Sequence, residues 1–229
     1  METIVMSVGG SLIVPDEIDT VFLKNLKQFI ETEVATSGRR FIIIAGGGRT
    51  ARRYQEAAAE VAGLDSEDLD WLGIHATRLN GHLLRTIFKD KAYQVMVTNP
   101  DEVEDAAPSA QVVIAAGYRP GSSTDLRAVQ IANKLGAKKV INLSNIDYVY
   151  TDDPKTNPAA EKITNITWTD FRKLIPSEWD PGLSSPFDPM AAKEAQDNQM
   201  EVASINGANL EELGKYLNGE DFIGTKIHS

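Results

Sequence analysis

Short, nearly unbroken apolar runs alternate along this chain with longer stretches in which apolar residues recur every three or four positions. Residues 4–8, 41–45, 93–98, 111–115, 139–143, 201–205 and 223–227 read as strands. Between them, residues 16–34 (Ile18, Phe22, Leu26, Phe29 and Ile30 at helical spacing), 49–62, 66–88, 125–135, 188–198 and 209–217 read as helices. Ser66 is expected to cap the third of these segments, with acidic residues in the turn that follows, and Gly136 to close the helix before it. Strands that are apolar throughout, alternating with helices, predict an α/β fold. It is a three-layer αβα sandwich around a mostly parallel central sheet. The pattern loosens between residues 144 and 187, where Pro154, Pro158, Pro176, Pro181 and Pro186 fall. A weak boundary at residues 100–110 would divide one domain, 1–229, into lobes of about 1–115 and 116–229.

In a sheet of this kind ligands bind beyond the carboxyl ends of the strands. Two predicted strands run directly into glycine there, at Gly9-Gly10-Ser11 and Gly46-Gly47-Gly48. Glycine admits a sharp turn and lets an anion approach main-chain N–H groups, and a helix starting just after adds its positive end. Neither loop carries the Lys-Ser/Thr of a P-loop or the spacing of a dinucleotide fingerprint. Tight turns alone would also use these glycines. Arg49, Arg52 and Arg53, however, open the next helix at the end where cations oppose its dipole, and a bound phosphate accounts for them.

Composition narrows the choice. Lys and Arg number 23 against 33 Asp and Glu, a net charge of −10, which argues against nucleic acid or an anionic membrane as partner. Cysteine is absent, excluding disulfides and thiolate chemistry. No run reaches the roughly 20 apolar residues of a membrane span, and residues 1–14 lack the basic start of a signal peptide. A cytoplasmic protein is expected. His75 and His82 share a helix face without a third ligand, so no transition-metal site is predicted, and the three tryptophans read as packing residues.

Several segments resemble uridylate (UMP) kinases of the archaeal type, within the amino acid kinase superfamily. Gly46-Gly47-Gly48-Arg49-Thr50-Ala51-Arg52 is similar to the family's second glycine loop. Residues 70–80 resemble its Asp-x-x-Gly-x-x-x-Thr-x-x-Asn helix, and Gly117 to Asp125 its loop ending in Thr-Thr-Asp. Residues 143–155 are similar to its ATP-site signature. Ser185 to Lys193 and Ile223 to Ile227 match its C-terminal segments. The motifs run in order along nearly the whole chain.

The resemblance implies the amino acid kinase fold, with an N-terminal lobe that binds the acceptor and a C-terminal lobe that binds ATP. It implies transfer of the ATP γ-phosphoryl group to UMP, with Mg²⁺ accompanying ATP, in a hexamer. Gly9, Gly10, Ser11 and Asp125 would serve catalysis, Asp125 by organising the catalytic cations. Gly46, Gly47, Gly48, Arg52, Asp70, Gly73, Thr77, Asn80, Gly117, Ser123 and Thr124 would line the UMP site, with Arg52 on its phosphate. Ser144, Asn145, Tyr150, Asp153 and Lys155 would line the ATP site. Metal-binding side chains are not expected, the nucleotide phosphates holding Mg²⁺.

Ser7 stands where many superfamily members have lysine, leaving Arg49, Arg119, Arg127 and Lys155 as substitute cations. Tyr148 replaces a usual glycine, and Tyr118-Arg119 replaces small residues. The alternatives are a superfamily phosphotransferase with another phosphate or a carboxylate as acceptor, and a non-catalytic protein that stores nucleotide or molybdenum oxoanions.

Overall fold

The computed structural model describes residues 1–178 and 185–229. Its elements are β1 (Thr3–Val8), α1 (Gly10–Ile13), α2 (Thr20–Ser37), β2 (Arg40–Ala45), α3 (Gly48–Val61), α4 (Ser66–Phe88), α5 (Val103–Ala106), β3 (Val112–Ala115), α6 (Thr124–Lys134) and β4 (Lys139–Ser144). They continue with β5 (Val149–Tyr150), β6 (Lys162–Ile163), β7 (Asn165–Thr167), α7 (Trp168–Leu174), α8 (Pro189–Asp197), β8 (Glu201–Asn206), α9 (Leu210–Asn218) and β9 (Thr225–His228). Seven strands form one sheet in the order β3-β2-β1-β4-β8-β9-β7. All neighbours run parallel except β8 and β9.

Both faces of this sheet are apolar because helices cover both. On one, Val5, Ile42, Ile44, Val140 and Val202 meet α6, α7 and α8. On the other, Ile4, Met6, Val8, Phe41, Ile43 and Ile141 meet α1, α2, α4 and α9. The result is the expected three-layer sandwich. Helix α3 stands outside it, packed on α4 and burying none of its residues.

Element boundaries shift for local reasons. The Asp19 carboxylate accepts from the N–H groups of Val21 (3.0 Å) and Phe22 (2.9 Å), so α2 begins at Thr20 and residues 16–19 stay outside. The cap of α4 is Asp65, which accepts from Asp68 at 2.9 Å, and Ser66 is the first helical residue. Gly136, at φ 67°, closes α6 as expected. Residues 93–98 do not form a strand. They meet β3 through an isolated bridge at Val97 and a hydrogen bond from Tyr93 N–H to the Val112 carbonyl at 2.8 Å, next to a further bridge at Ala92, and Val95 turns out to solvent between them.

The proline-containing stretch holds β5, β6, β7 and α7, none visible in the periodicity. Trp168 anchors it: the fully buried indole donates to the Met200 carbonyl at 2.7 Å and meets the Phe171 ring edge-on at 5.9 Å. Trp71, by contrast with the expected packing role, is exposed, with His75 as its ring neighbour. Trp179 and Pro181 lie outside the described residues.

Candidate functional site

Strands β1, β2, β3, β4 and β8 all end on one side of the molecule, and their loops meet there. The two glycine loops touch each other. Gly46 N–H donates to the Val8 carbonyl at 2.9 Å, Gly9 N–H to the Leu143 carbonyl at 2.8 Å, and Arg49 N–H to the Val14 carbonyl at 2.9 Å. A Cβ on Gly10 would overlap the main chain of Gly48 and approach the Gly46 carbonyl carbon to 2.7 Å. Gly48 has φ 63°, in the left-handed region that favours glycine. The glycines are therefore required by backbone contact as well as by any ligand.

Helix α4 holds two loops through side chains spaced along one face. Asn80 Nδ2 donates to the carbonyls of Gly46 (2.8 Å) and Gly47 (3.1 Å). Thr77 Oγ1 accepts from Gly117 N–H at 2.8 Å and donates to the Ile74 carbonyl at 2.7 Å. Asp70 Oδ2 accepts from Gly121 N–H at 2.7 Å; partial burial raises this carboxyl above its usual range, and that hydrogen bond opposes the shift. Arg78, which the sequence reading passed over, donates to the carbonyls of Gly117 (3.1 Å) and Tyr118 (2.9 Å). Its place in the helix, one residue after Thr77, was the available signal. Gly73 lies against Gln55, close enough that a Cβ there would be tight.

The arginines that open α3 separate into two kinds. Arg49 pairs with Glu56 at 3.2 Å and Arg53 with Asp16 at 2.6 Å. Arg52 is exposed and has no salt bridge among the described residues. Of the other cations considered in place of a lysine, Arg127 is buried. It bonds Ser122 and Gln130, lies 5.2 Å from the Tyr118 ring, and burial followed by the neighbouring Arg119 lowers its pKa. It clamps the Tyr118–Ser122 loop onto α6. Lys155 is exposed.

A row of small polar residues crosses the middle of the sheet, one on each of four adjacent strands. Ser7 is in register with Asn142, Asn142 with Ser204, and Ser204 with Thr225. Registered partners share a face, and this is the face covered by α6 and α8. All four are buried. Asn142 Nδ2 donates to the Pro186 carbonyl at 2.9 Å, and Thr225 Oγ1 accepts from Val149 N–H at 2.8 Å. Ser204 Oγ is buried without a partner. Ser7 Oγ donates to Asp125 Oδ1 at 2.9 Å.

Asp125 sits in the first turn of α6, whose cap is Ser123, accepting from Leu126 N–H at 3.1 Å. Burial pushes the Asp125 carboxyl up to about 6; the Ser7 hydroxyl pulls it down and the nearby Asp188 pushes it further up. Ser7→Ala removes a donor to a buried carboxylate, so it should destabilise the fold by about 1–2 kcal/mol at pH 8. Urea denaturation checks this, and an unchanged midpoint would show the bond to be idle.

The residues assigned to ATP lie beyond β4. Ser144 Oγ is buried without a partner, and the Ser144 carbonyl accepts from Gly207 N–H at 2.9 Å. Asn145 is exposed, next to the turn in which Asn206 donates to Asp147 at 2.8 Å. Tyr150 pairs with Lys162 in the β5–β6 hairpin, and Asp153 accepts from Lys155 N–H at 2.9 Å in the exposed turn that follows. Tyr148 carries Lys162 over its ring at 5.0 Å. The structure thus gathers Gly9–Ser11, Gly46–Gly48, Asn80, Ser7 and Asp125 closely, and sets Tyr150, Asp153 and Lys155 on a separate hairpin. The described residues contain no cluster of three or more His, Asp or Glu able to hold a metal, and no helix long and apolar enough to cross a membrane.

Residues 2–206 match the model of the amino acid kinase family. The chain belongs to that family. Among similar members, a uridylate kinase of Pyrobaculum neutrophilum is 33% identical over 224 residues, 98% of each chain. One of Hyperthermus butylicus is 32% identical over 98% of this chain and 97% of its own. The crystal structure of uridylate kinase from Archaeoglobus fulgidus superimposes with a TM-score of 0.84 at 29% identity, covering 99% of this chain and all of that one. This amino acid kinase therefore shares its length with those relatives and its fold with the Archaeoglobus structure.

Proposed function

We propose that this protein is a UMP kinase that transfers the γ-phosphoryl group of ATP to UMP, giving ADP and UDP. A UMP phosphate oxygen forms the new P–O bond as the bond from the γ-phosphorus to the β,γ-bridging oxygen breaks. Such transfer depends on positioning and charge neutralisation more than on covalent chemistry. The observation that carries the reading is the meeting of two glycine loops beside Asp125 at the sheet's edge, in a chain whose full-length relatives are uridylate kinases.

The half up to about residue 115 supplies the acceptor side. Arg52, exposed and free of any salt bridge among the described residues, takes the UMP phosphate. Asp70, Thr77 and Asn80 act there by fixing the loops. Ser123 and Thr124 border the acceptor phosphate, and Gly9, Gly10 and Ser11 cradle the transferred group. Ser144, Asn145, Tyr150, Asp153 and Lys155 receive ATP. Asp125, among anionic phosphates, acts on cationic side chains. Mg²⁺ enters with ATP, held mainly by its phosphates. The protein works in the cytoplasm as an oligomer, a hexamer like its family. The unburied α3, with Tyr54 and Val61 exposed, and the exposed Leu79 of α4 support association.

ADP release with ATP, Mg²⁺ and each of UMP, CMP, AMP and dUMP tests the reading. Turnover with UMP well above the others is expected, and none with any of them would sink it. Arg52→Ala should raise the KM for UMP by roughly 10–100-fold, the worth of a charge-assisted hydrogen bond, with the KM for ATP little changed. Steady-state kinetics in both substrates checks this.

A further inference from the structure

The loop between β3 and α6 is fastened on two sides by different means. On the α4 side every bond reaches its main chain: Thr77 accepts from Gly117 N–H at 2.8 Å, Arg78 donates to the Gly117 and Tyr118 carbonyls at 3.1 and 2.9 Å, and Asp70 accepts from Gly121 N–H at 2.7 Å. On the α6 side residues 118–122 are held through side chains, by Arg127. Its Nη2 donates to Ser122 Oγ, which in turn donates to the Arg119 carbonyl at 3.0 Å. Its guanidinium stands 5.2 Å from the centre of the Tyr118 ring.

Arg127 is 4% exposed, and a guanidinium stays protonated, yet no carboxylate among the described residues pairs with it. Nη1 donates to Gln130 Oε1 at 2.5 Å, and Nε is buried without a partner. The first acidic group along this network is Glu194, on the far side of the Gln130 amide, whose Nε2 reaches Glu194 Oε2 at 3.5 Å. A second guanidinium, that of Arg119, lies 5.7 Å from the same Tyr118 ring. Burying a cation without a counter-ion is costly, and an apolar side chain would hold the loop without that cost. A salt bridge would hold it too, but would cancel the charge. Neutral partners do neither: they fix the loop and leave positive charge at its junction with α6, in a chain of net charge −10.

We propose that Arg127 is a positioning residue for the acceptor. It fixes Tyr118–Ser122 against α6, and with them Ser123 and Thr124, and it keeps uncancelled positive charge where the anionic acceptor binds. Residues two apart on a helix point about 200° apart, so with Asp125 turned to Ser7, Arg127 faces away from that pair. It therefore acts through the loop, and not as a lysine-like cation at position 7. This rests on the reading of Ser123 and Thr124 as the border of the acceptor phosphate.

The test is steady-state kinetics in UMP and ATP for the parent, R127M, R127K and S122A, with thermal melting in parallel. Met fills much of the same space without the charge, Lys keeps the charge without the stacked fork, and S122A leaves the guanidinium in place but releases its hold on the loop. R127M should raise the KM for UMP about tenfold, and R127K and S122A each about threefold, with the KM for ATP changed by less than about twofold. Folded R127M and S122A with the parent's KM for UMP overturn the inference. So does an equal rise in both KM values, which a general loosening of the fold would give. If R127M does not fold, S122A decides on the same criteria. A parent that turns over no UMP sinks the proposed function and this inference with it, whereas an active parent with unmoved variants sinks the inference alone.

Discussion

Asp125→Asn should give a protein that is nearly inert and yet more stable than its parent at pH 8. On the proposed function, in which Asp125 acts beside the transferring group, the variant loses a preorganised charge. Such groups contribute about 10²-fold or more to kcat. The gain in stability follows from linkage. The folded carboxyl sits at about 6 against 3.8 for the free group. Between those values the folded chain binds more protons than the unfolded one. Stability therefore falls as pH rises through that window and stays lower above it. Two pH units correspond to about 3 kcal/mol. Asn carries no charge at any pH and keeps an acceptor for Ser7. Its melting temperature should exceed the parent's by roughly 5–10 °C at pH 8, and the difference should close towards pH 4. Urea titrations at the two pH values, beside kcat, check both halves. A variant equally inert but less stable at pH 8 would show that Asp125 is held by an unseen cation.

Gly10→Ala should be the most damaging methyl group at any of the described glycines. The added Cβ would lie inside the van der Waals radius of the Gly48 main chain and 2.7 Å from the Gly46 carbonyl carbon. Both obstacles are backbone: Gly46 is pinned by Asn80 and by its own N–H on the Val8 carbonyl, and Gly48 is flanked by the Asn80 bond to Gly47 and the Arg49 N–H bond to the Val14 carbonyl. Neither can swing away as a side chain would. Overpacking of this kind costs 1–3 kcal/mol where neighbours can yield, and about 4 kcal/mol is expected where they cannot. Gly63→Ala is the control, because no heavy atom lies within 4 Å of its Cβ and its φ is ordinary. Denaturant midpoints should drop steeply for the first and stay put for the second. A near-neutral Gly10→Ala would mean that the loops separate readily.

The architecture was legible because its strands are apolar on both faces, a pattern that few folds other than a helix-covered parallel sheet can use. Runs such as residues 41–45 and 201–205 carried it. What escaped were elements whose signal is tertiary. β7 has three residues and exists because β9 lies beside it, and α7 is held by the burial of Trp168, not by periodicity. Residues 93–98 show the reverse error: their apolar character serves contact with β3, but the ladder opens at Val95. At the candidate site, the glycine loops could be picked out from the residues themselves, and Asp125 only through the family resemblance. That Gly10 and Gly48 interlock could not, since the two are far apart in sequence. The polar row was partly visible, as a lone Ser7, Asn142 or Ser204 inside an apolar strand. Only the register of four strands turns those exceptions into one feature.

Strand order also bears on how the chain emerges from the ribosome. β1 is made first of the strands and ends up between β2 and β4. Its β2 edge is satisfied early, while the other waits for residues 139–144. Until then a strand of six residues offers bare N–H and C=O groups to any neighbouring nascent chain. Ser7 and Asp125 are 118 positions apart, so this hydrogen-bonded pair of the candidate site forms only when more than half of the chain is out. Synthesis stalled before β4 would leave a product with both glycine loops and no activity, and one prone to self-association.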